Sequence, residues 1–320
     1  MTEPLRNHPD ATVVICTHNR APDLSRVLDD LSRQSTPAGV RWDILVVDNN
    51  STDDTREVVE RHARQGTVPV HYVFEPRQGK SHALNRGVAA SSAPLLLFTD
   101  DDVHVPPTWL HAMLASFADL RCMGVGGRVK PEWSGPVPRW ASEREPYRMM
   151  AAIVQYAPQE HGGPTTVPPI GANAGWRREL FERHGPFRSD LGPAGSGSSL
   201  GEDTEFGQRM ITLGEPVCYA PDAVLYHPVA PERLNRRYFL KWYRDSGRFE
   251  PFRAGAPPAV SIAGIPRYLF RELIAVGAAW LTAFDPVRRF YYKLRTWQTL
   301  GRMRGFRDAA AAPDSRRERR

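Results

Sequence analysis

Three aspartates in a row, Asp100, Asp101 and Asp102, close the apolar run Pro94-Leu95-Leu96-Leu97-Phe98-Thr99. An apolar run this short reads as a buried parallel strand. Three carboxylates at its C-terminal end are not core residues, because burying unpaired charge is too costly. They raise one another's pKa unless a cation sits among them. Clustered hard oxygen ligands suit Mg²⁺ or Mn²⁺, which bind through a few carboxylates plus substrate phosphates. Open α/β sheets bind ligands at the carboxyl ends of their strands. The triplet therefore points to a metal–phosphate site in the first half of the chain.

Other segments carry weaker signals. Cys16-Thr17-His18-Asn19-Arg20 and Asp48-Asn49-Asn50-Ser51 each follow an apolar run. Asp48 and Asn49 could exchange hydrogen bonds with a nucleobase edge, or simply make a turn that caps a helix. Lys80, in Gly79-Lys80-Ser81-His82-Ala83-Leu84-Asn85-Arg86-Gly87, opens a helix whose free N–H groups could meet a diphosphate. The Walker A spacing is absent, and an exposed lysine at a helix start is the commoner case. In Gly201-Glu202-Asp203-Thr204-Glu205, one acid could act as general base on a hydroxyl. Acidic residues in a first helical turn are also favoured by the helix dipole alone. His227 is a candidate metal ligand or phosphate contact, against the plainer role of a structural histidine at a strand end.

For these loops to share one site, the chain must alternate strands and helices. Ala11 to Cys16 reads as a strand, and Leu24 to Leu31 as a helix with Leu24, Val27, Leu28 and Leu31 on one face. Trp42 to Asp48 is a second strand. Ser51-Thr52-Asp53-Asp54 resembles a capping box before a helix from Thr55 to Ala63. Strands Val68 to Phe74 and Leu95 to Thr99 flank a helix from Ser81 to Ala90. This order predicts an α/β fold with a mostly parallel sheet and right-handed crossovers. Helical patterns return at Arg177–His184 and Asp203–Leu213. The segment 130–170 is rich in proline and tryptophan without a clear period, so Trp133, Trp140, Tyr147 and Tyr156 either stack on a ligand or anchor a long loop. Residues 192–201 read as a flexible loop.

Composition sets the limits. With 320 residues and 41% hydrophobic, a large core is expected and global disorder is excluded. A net charge of +6 and a pI near 9.4 suit an anionic partner. No nucleic-acid motif accompanies the charge, so nucleic acid is not expected. Cys16, Cys122 and Cys218 are far apart, without a CxxC pair. They suggest no disulfide framework and a reducing compartment. The N-terminus lacks an apolar signal region, and no apolar stretch of about 18 residues exists. A cytoplasmic protein without a transmembrane helix is the expectation.

In combination, the motifs resemble family 2 glycosyltransferases of the GT-A fold. The pieces are Val14-Ile15-Cys16-Thr17-His18-Asn19-Arg20, Val46-Val47-Asp48-Asn49-Asn50-Ser51-Thr52-Asp53, the Gly79–Gly87 segment, Phe98-Thr99-Asp100-Asp101-Asp102, Gly171-Ala172-Asn173-Ala174 and Gly201-Glu202-Asp203. They occur in the family's order across residues 11–230. The resemblance implies a Rossmann-like, mostly parallel sheet flanked by helices, with a C-terminal helical extension. It implies a GT-A catalytic domain over 9–230, with a nucleotide-sugar half near 9–130 and an acceptor half near 131–230. A helical region at 231–305 and a disordered basic tail at 306–320 complete the chain.

The same resemblance implies an inverting, metal-dependent enzyme that moves one sugar from a nucleoside-diphosphate sugar to an acceptor hydroxyl. Asp203 would be the catalytic base, with Glu202 beside it. Cys16, Thr17, His18, Asn19, Arg20, Asp48, Asn49, Lys80, Asn85, Asp100, Asp101 and Asn173 would contact the donor. Asp100, Asp102 and His227 would hold Mn²⁺ or Mg²⁺. Cys16 stands where many relatives have proline, His18 where they have tyrosine or phenylalanine, and Asn49 where they have aspartate. The processive QxxRW motif is reduced to Leu234-Asn235-Arg236-Arg237-Tyr238, which favours single addition. A sugar-nucleotide hydrolase, a nucleotidyltransferase and a non-catalytic scaffold are the rival readings.

In the last third, Leu269, Leu273, Val276, Trp280 and Phe284 recur near helical spacing, flanked by Arg267, Arg271, Arg288, Arg289, Lys293 and Arg295. A basic amphipathic helix of this kind lies in a membrane interface or packs back on its own domain. Peripheral contact through 265–295 on the inner face of the cell membrane would suit a sugar or lipid-linked acceptor.

Overall fold

The computed structural model describes residues 8–66, 68–119, 121–190, 201–254 and 260–311. The expected loop at 192–200 and the tail from 312 lie outside the described residues. Two compact units result: the chain up to Glu132 with Val154–Pro228, and Trp133–Ile153 with the chain from Val229.

The first unit is built on β1 (Ala11–Thr17), α1 (Ala21–Leu31), β2 (Trp42–Asp48), α2 (Thr55–Gln65), β3 (Val70–Phe74), α3 (Lys80–Ala90), β4 (Leu95–Thr99) and α4 (Trp109–Ser116). It continues with β5 (Gly124–Trp133), β6 (Gly163–Pro164), β7 (Asn173–Arg177), α5 (Arg178–His184), α6 (Glu202–Thr212) and β8 (Val217–Val229). The strands form one sheet in the order β3-β2-β1-β4-β7-β5-β8-β6. β1 pairs in parallel with β2 and β4, and β2 with β3. β7 then runs antiparallel to β4 and β5.

Alternation along the strands explains why both sheet faces are buried. Val13, Ile15, Ile44, Val46 and Leu97 point to one face, where Leu24, Val27, Leu28 and Leu31 of α1, Val58 and Val59 of α2 and Trp109 of α4 cover them. Val14, Leu45, Val47, Leu96 and Phe98 point to the other, under Ala83 and Leu84 of α3, Leu180 and Phe181 of α5 and Phe206 of α6. Such two-sided burial produces the continuous apolar runs of parallel strands. α3 comes close because Gly87 has no side chain; a Cβ there would stand 2.5 Å from Val14 Cγ1.

Two expectations are corrected. Ser51 does not open a capping box. Asp54 is the N-cap of α2 and makes no side-chain cap bond. Ser51 Oγ instead accepts the Asn19 N–H at 2.9 Å, because the neighbouring strand-end loop competes for it. The cysteines are also not all free: Cys122 and Cys218 form a disulfide, leaving Cys16 as the free thiol. Met123 N–H donates to Pro216 O at 2.8 Å, which brings the starts of β5 and β8 together and sets the two Cα atoms 6.0 Å apart. Sequence distance hid a contact that sheet order creates.

The second unit contains α7 (Arg236–Ala254), a short hairpin of β9 (Ser261–Ile262) and β10 (Ile265–Pro266), α8 (Arg267–Thr282) and α9 (Pro286–Ala311). Residues 306–311 of the expected tail are therefore helical. Phe239, Tyr243, Phe290 and Leu294 form its core with Met149, Met150 and Ile153. Trp140 stands edge-on to Phe239 at 5.0 Å and Phe290 at 5.1 Å, and Tyr147 to Tyr291 at 5.5 Å. These aromatics anchor their irregular segment. Among the described residues, no helix is long and apolar enough to cross a membrane.

Candidate active site

The C-terminal ends of β1, β2 and β4 carry Thr17, Asp48 and Thr99, and the loops beyond them carry the chemistry. The parallel half of the sheet thus sets Arg20 and Asp100–Asp102 at one edge. β8 brings His227 to the same place, because His104 and Tyr226 exchange backbone hydrogen bonds at 2.8 and 3.1 Å.

Asp100 and Asp102 are each held by one oxygen. Lys80 Nζ, at the start of α3, lies 2.6 Å from Asp100 Oδ1. Arg20 Nη1 binds Asp102 Oδ2 and lies 3.5 Å from Asp101 Oδ1. The remaining oxygens face His227: its Nε2 is 3.5 Å from Asp102 Oδ1 and 4.0 Å from Asp100 Oδ2. His227 is 4% exposed. Its Nδ1–H donates to Pro228 O at 3.1 Å, which leaves Nε2 as the ring nitrogen that faces the carboxylates.

One donor atom from each of Asp100, Asp102 and His227 lies within 4.8 Å of the others. Adjacent ligands of an octahedral ion stand about 3 Å apart and opposite ones about 4 Å. The donor set therefore fits a divalent cation. The charge balance agrees: Asp100, Asp101, Asp102, Glu202 and Asp203 face two permanent cations, Lys80 and Arg20. Burial alone would push the Lys80 ammonium down, but Asp100, Glu202 and Asp203 outweigh it and hold its pKa well above the usual value. Burial opposes ionisation of Asp100 too, and Lys80 overcomes it, leaving that carboxyl lowered. Asp101 is 8% exposed, and burial pushes its carboxyl up to about 7.

Asp203 begins α6 beside this cluster. Its Oδ2 accepts the Gly171 N–H, and its Oδ1 accepts the Thr204 N–H at 2.7 Å. The close approach requires glycine, since a Cβ on residue 171 would lie 2.8 Å from Asp203 Oδ2. Glu202 is 3% exposed, and burial, reinforced by Asp203, pushes it up to about 7. Its folded pKa thus exceeds the ordinary 4.5. The native state then holds the extra proton, so Glu202 contributes stability that is complete below about pH 4.5 and lost as pH rises through about 7. Glu202→Gln removes this dependence. Without metal or donor, the variant is expected to gain up to about 3 kcal/mol on wild type between pH 5 and pH 8. Urea denaturation across that range measures it, and a pH-independent difference refutes it.

Several expected donor contacts have their polar atoms engaged within the protein. Asn49 Nδ2 donates to Glu75 O at 3.1 Å and Arg77 O at 2.7 Å, and its Oδ1 accepts the Gly79 N–H at 2.7 Å. It fixes the loop that presents Lys80. Asp48 accepts the Ser51 N–H at 2.9 Å and the Tyr72 hydroxyl at 2.8 Å. Asn85 is matched twice to the Phe187 backbone, at 2.8 and 2.9 Å. Asn173 is fully buried; it accepts from Trp109 Nε1 at 2.8 Å and donates to Arg128 O and Ala223 O. Asn19, at φ 52°, accepts the Thr52 N–H at 2.7 Å and ties two strand-end loops together. His18 is exposed, and burial raises the Cys16 thiol. The Gly171 N–H and the Arg20–Asp102 pair were missed in the sequence as partners; only the three-dimensional meeting of distant loops discloses them.

The structure thus joins an α/β sheet, parallel across β3-β2-β1-β4, to an acidic cluster at the strand ends whose donor atoms fit a cation. The family model described as Glycosyl transferase family 2 matches residues 12–185, and the chain belongs to that family. It is a glycosyltransferase. The succinoglycan biosynthesis protein ExoM of Rhizobium meliloti (strain 1021) is 27% identical over 235 residues, 73% of this chain and 72% of that protein. The glycosyltransferase AglE of Haloferax volcanii is 25% identical over 232 residues, 72% and 71% of the two chains. Among solved structures, the mannosyltransferase PcManGT from Pyrobaculum calidifontis, in complex with GDP-Man and Mn²⁺, superposes with a TM-score of 0.60 at 22% identity. It covers 95% of this chain and 88% of that one, and shows the GT-A fold.

Proposed function

We propose that this glycosyltransferase is inverting and transfers a single sugar from a nucleoside-diphosphate sugar to an acceptor hydroxyl, in the synthesis of an envelope polysaccharide or glycolipid. The observation that carries this reading is the convergence of Asp100 Oδ2 and Asp102 Oδ1 on His227 Nε2, with Lys80 and Arg20 on their other oxygens. The names of ExoM, in succinoglycan biosynthesis, and of PcManGT with its GDP-Man and Mn²⁺ support the pathway class and the donor class.

Asp203, held by two backbone N–H groups, takes the acceptor proton as the acceptor oxygen bonds to the anomeric carbon. The bond to the diphosphate oxygen breaks on the opposite face, which inverts the centre. Lys80 meets charge on the departing diphosphate. Bound at Asp100, Asp102 and His227, Mn²⁺ or Mg²⁺ would supply Lewis-acid neutralisation of that diphosphate. Arg20 and Asp101 orient this cluster, and Asn49, Asn85 and Asn173 fix the loops around the donor. The catalytic region spans about 9–230, and peripheral membrane contact runs through 265–295.

Thermal unfolding with Mn²⁺ or Mg²⁺ and a panel of UDP-, GDP- and dTDP-sugars tests the donor site. A donor at 100 times its dissociation constant adds about 2.7 kcal/mol. The expected result is a metal-dependent shift with one nucleotide family, lost in Asp102→Ala. A shift that survives Asp102→Ala, or no shift with any donor, overturns the reading.

A further inference from the structure

Helix α8 carries apolar residues on two faces, and only one of them has a partner among the described residues. Its inner face packs on α9: Leu269 is fully buried, Glu272 pairs with Arg302 at 2.8 Å, and Trp280 stands edge-on to Trp297 at 5.5 Å. The stripe that the helical spacing offered to a membrane shares Leu269 and Trp280 with this packed face, while its last residue, Phe284, stays exposed. The opposite face would ordinarily be polar. Here it holds Ile274 at 72% exposure, exposed Ala278 and Leu281 at 73%, and just beyond the helix Phe284 at 99%. Residues 274, 278 and 281 fall on one line along an α-helix, spanning about 10 Å.

Charge brackets this apolar ridge. Exposed Arg267 and Arg271 precede it on the same helical face, and exposed Arg288 and Arg289 follow it at the start of α9. The acids nearby are engaged: Glu272 faces Arg302 and Thr299, and Asp285 accepts the Arg288 N–H at 2.7 Å. An apolar centre with arginines at both ends matches a bilayer interface, where side chains enter the acyl boundary and guanidinium groups reach phosphates. A protein partner of matching shape would need no such excess of one sign.

We infer that the outward face of α8, Ile274–Ala278–Leu281–Phe284 with its flanking arginines, docks the protein on an anionic lipid surface. The inference refines the peripheral-contact reading above and replaces the face on which it rested. It is independent of the sugar chemistry.

The test is co-sedimentation of the full chain with vesicles of phosphatidylcholine alone or with 30% phosphatidylglycerol, at low and high salt. Binding to the anionic vesicles alone is expected, weakening as salt rises. The variant Ile274→Gln/Leu281→Gln/Phe284→Gln should bind at least tenfold less. Arg267→Gln/Arg271→Gln should bind about fivefold less per arginine and show a shallower salt dependence. Both variants alter exposed positions, and an unchanged circular dichroism melt confirms folding. No binding of wild type at low salt overturns membrane contact altogether. Binding that ignores the apolar variant overturns this face while leaving peripheral contact standing. A wild-type dimer in sedimentation velocity that the apolar variant dissociates assigns the face to a second copy, which also overturns the inference. The nucleotide-sugar thermal shift is unaffected in every case, so failure here and failure of the donor reading are told apart.

Discussion

Asp203→Asn is expected to lower sugar transfer by about 10²- to 10⁴-fold, the usual worth of a positioned general base, while the metal-dependent donor shift persists. The side chain is fixed from two sides, by the Gly171 N–H on Oδ2 and the Thr204 N–H on Oδ1. Both donors need an acceptor, and Asp203 presents one oxygen to each. Asparagine keeps the shape but must turn its NH₂ toward one of those N–H groups, so a stability loss of about 1–3 kcal/mol accompanies the lost base. The two effects should separate in kinetics: kcat falls and the donor KM stays near its wild-type value, because Asp203 is not one of the three candidate metal ligands, Asp100, Asp102 and His227. Gly171→Ala provides the positional control. Its new Cβ would meet Asp203 Oδ2 at 2.8 Å, which moves the carboxylate without removing it. An intermediate loss of kcat is expected there. Wild-type turnover in Asp203→Asn would overturn the assignment and direct attention to Glu202.

The parallel strands were legible because their signal is local, whereas the order β3-β2-β1-β4-β7-β5-β8-β6 is not. Each parallel strand is a short apolar run followed by a helix with one apolar face, and Trp42–Asp48 and Leu95–Thr99 were bounded as expected. α1 begins earlier than its apolar face suggests, at Ala21, since polar Asp23 and proline in a first turn carry no hydrophobic period. The acidic triplet was legible because three adjacent carboxylates after an apolar strand have few uses other than binding a cation. The roles of amides were not. Asn49, Asn85 and Asn173 sit in motif segments, yet each is engaged by backbone or indole partners 26 to 102 residues away. On α8, Leu269 and Trp280 pack on α9, the second of the two uses that the helical spacing left open. Leu269, Val276 and Trp280 satisfy a helical period by themselves, so the pattern gave no sign of the second stripe that Ile274 and Leu281 form.

Reduction of the Cys122–Cys218 disulfide is expected to cost the first unit more stability than any single surface change. The bond closes a loop with a sequence separation of 96, for which the chain-entropy relation gives about 4–5 kcal/mol. For a unit of this size, that corresponds to a fall in Tm of roughly 10 °C. Cys122 is 5% exposed and Cys218 7%, and both sit in the core that α1, α2 and α4 share with the sheet. The bond therefore fastens β5 to β8 from inside. Titrating thiols in denaturant without reductant should give the single group of Cys16, and all three cysteines after reduction. Three thiols before reduction would refute the bond. The variant Cys122→Ala/Cys218→Ala should melt like reduced wild type, which separates loss of the cross-link from damage by the reductant. The donor site should respond much less. His227 lies at the other end of β8, next to Tyr226, whose backbone is held to His104 by two hydrogen bonds of its own. Those bonds set His227 against Asp100 and Asp102 whether or not the cysteines are joined. The metal-dependent donor shift should thus survive reduction below the new Tm; its loss there would mean that the register of β8 at the site is set by the disulfide.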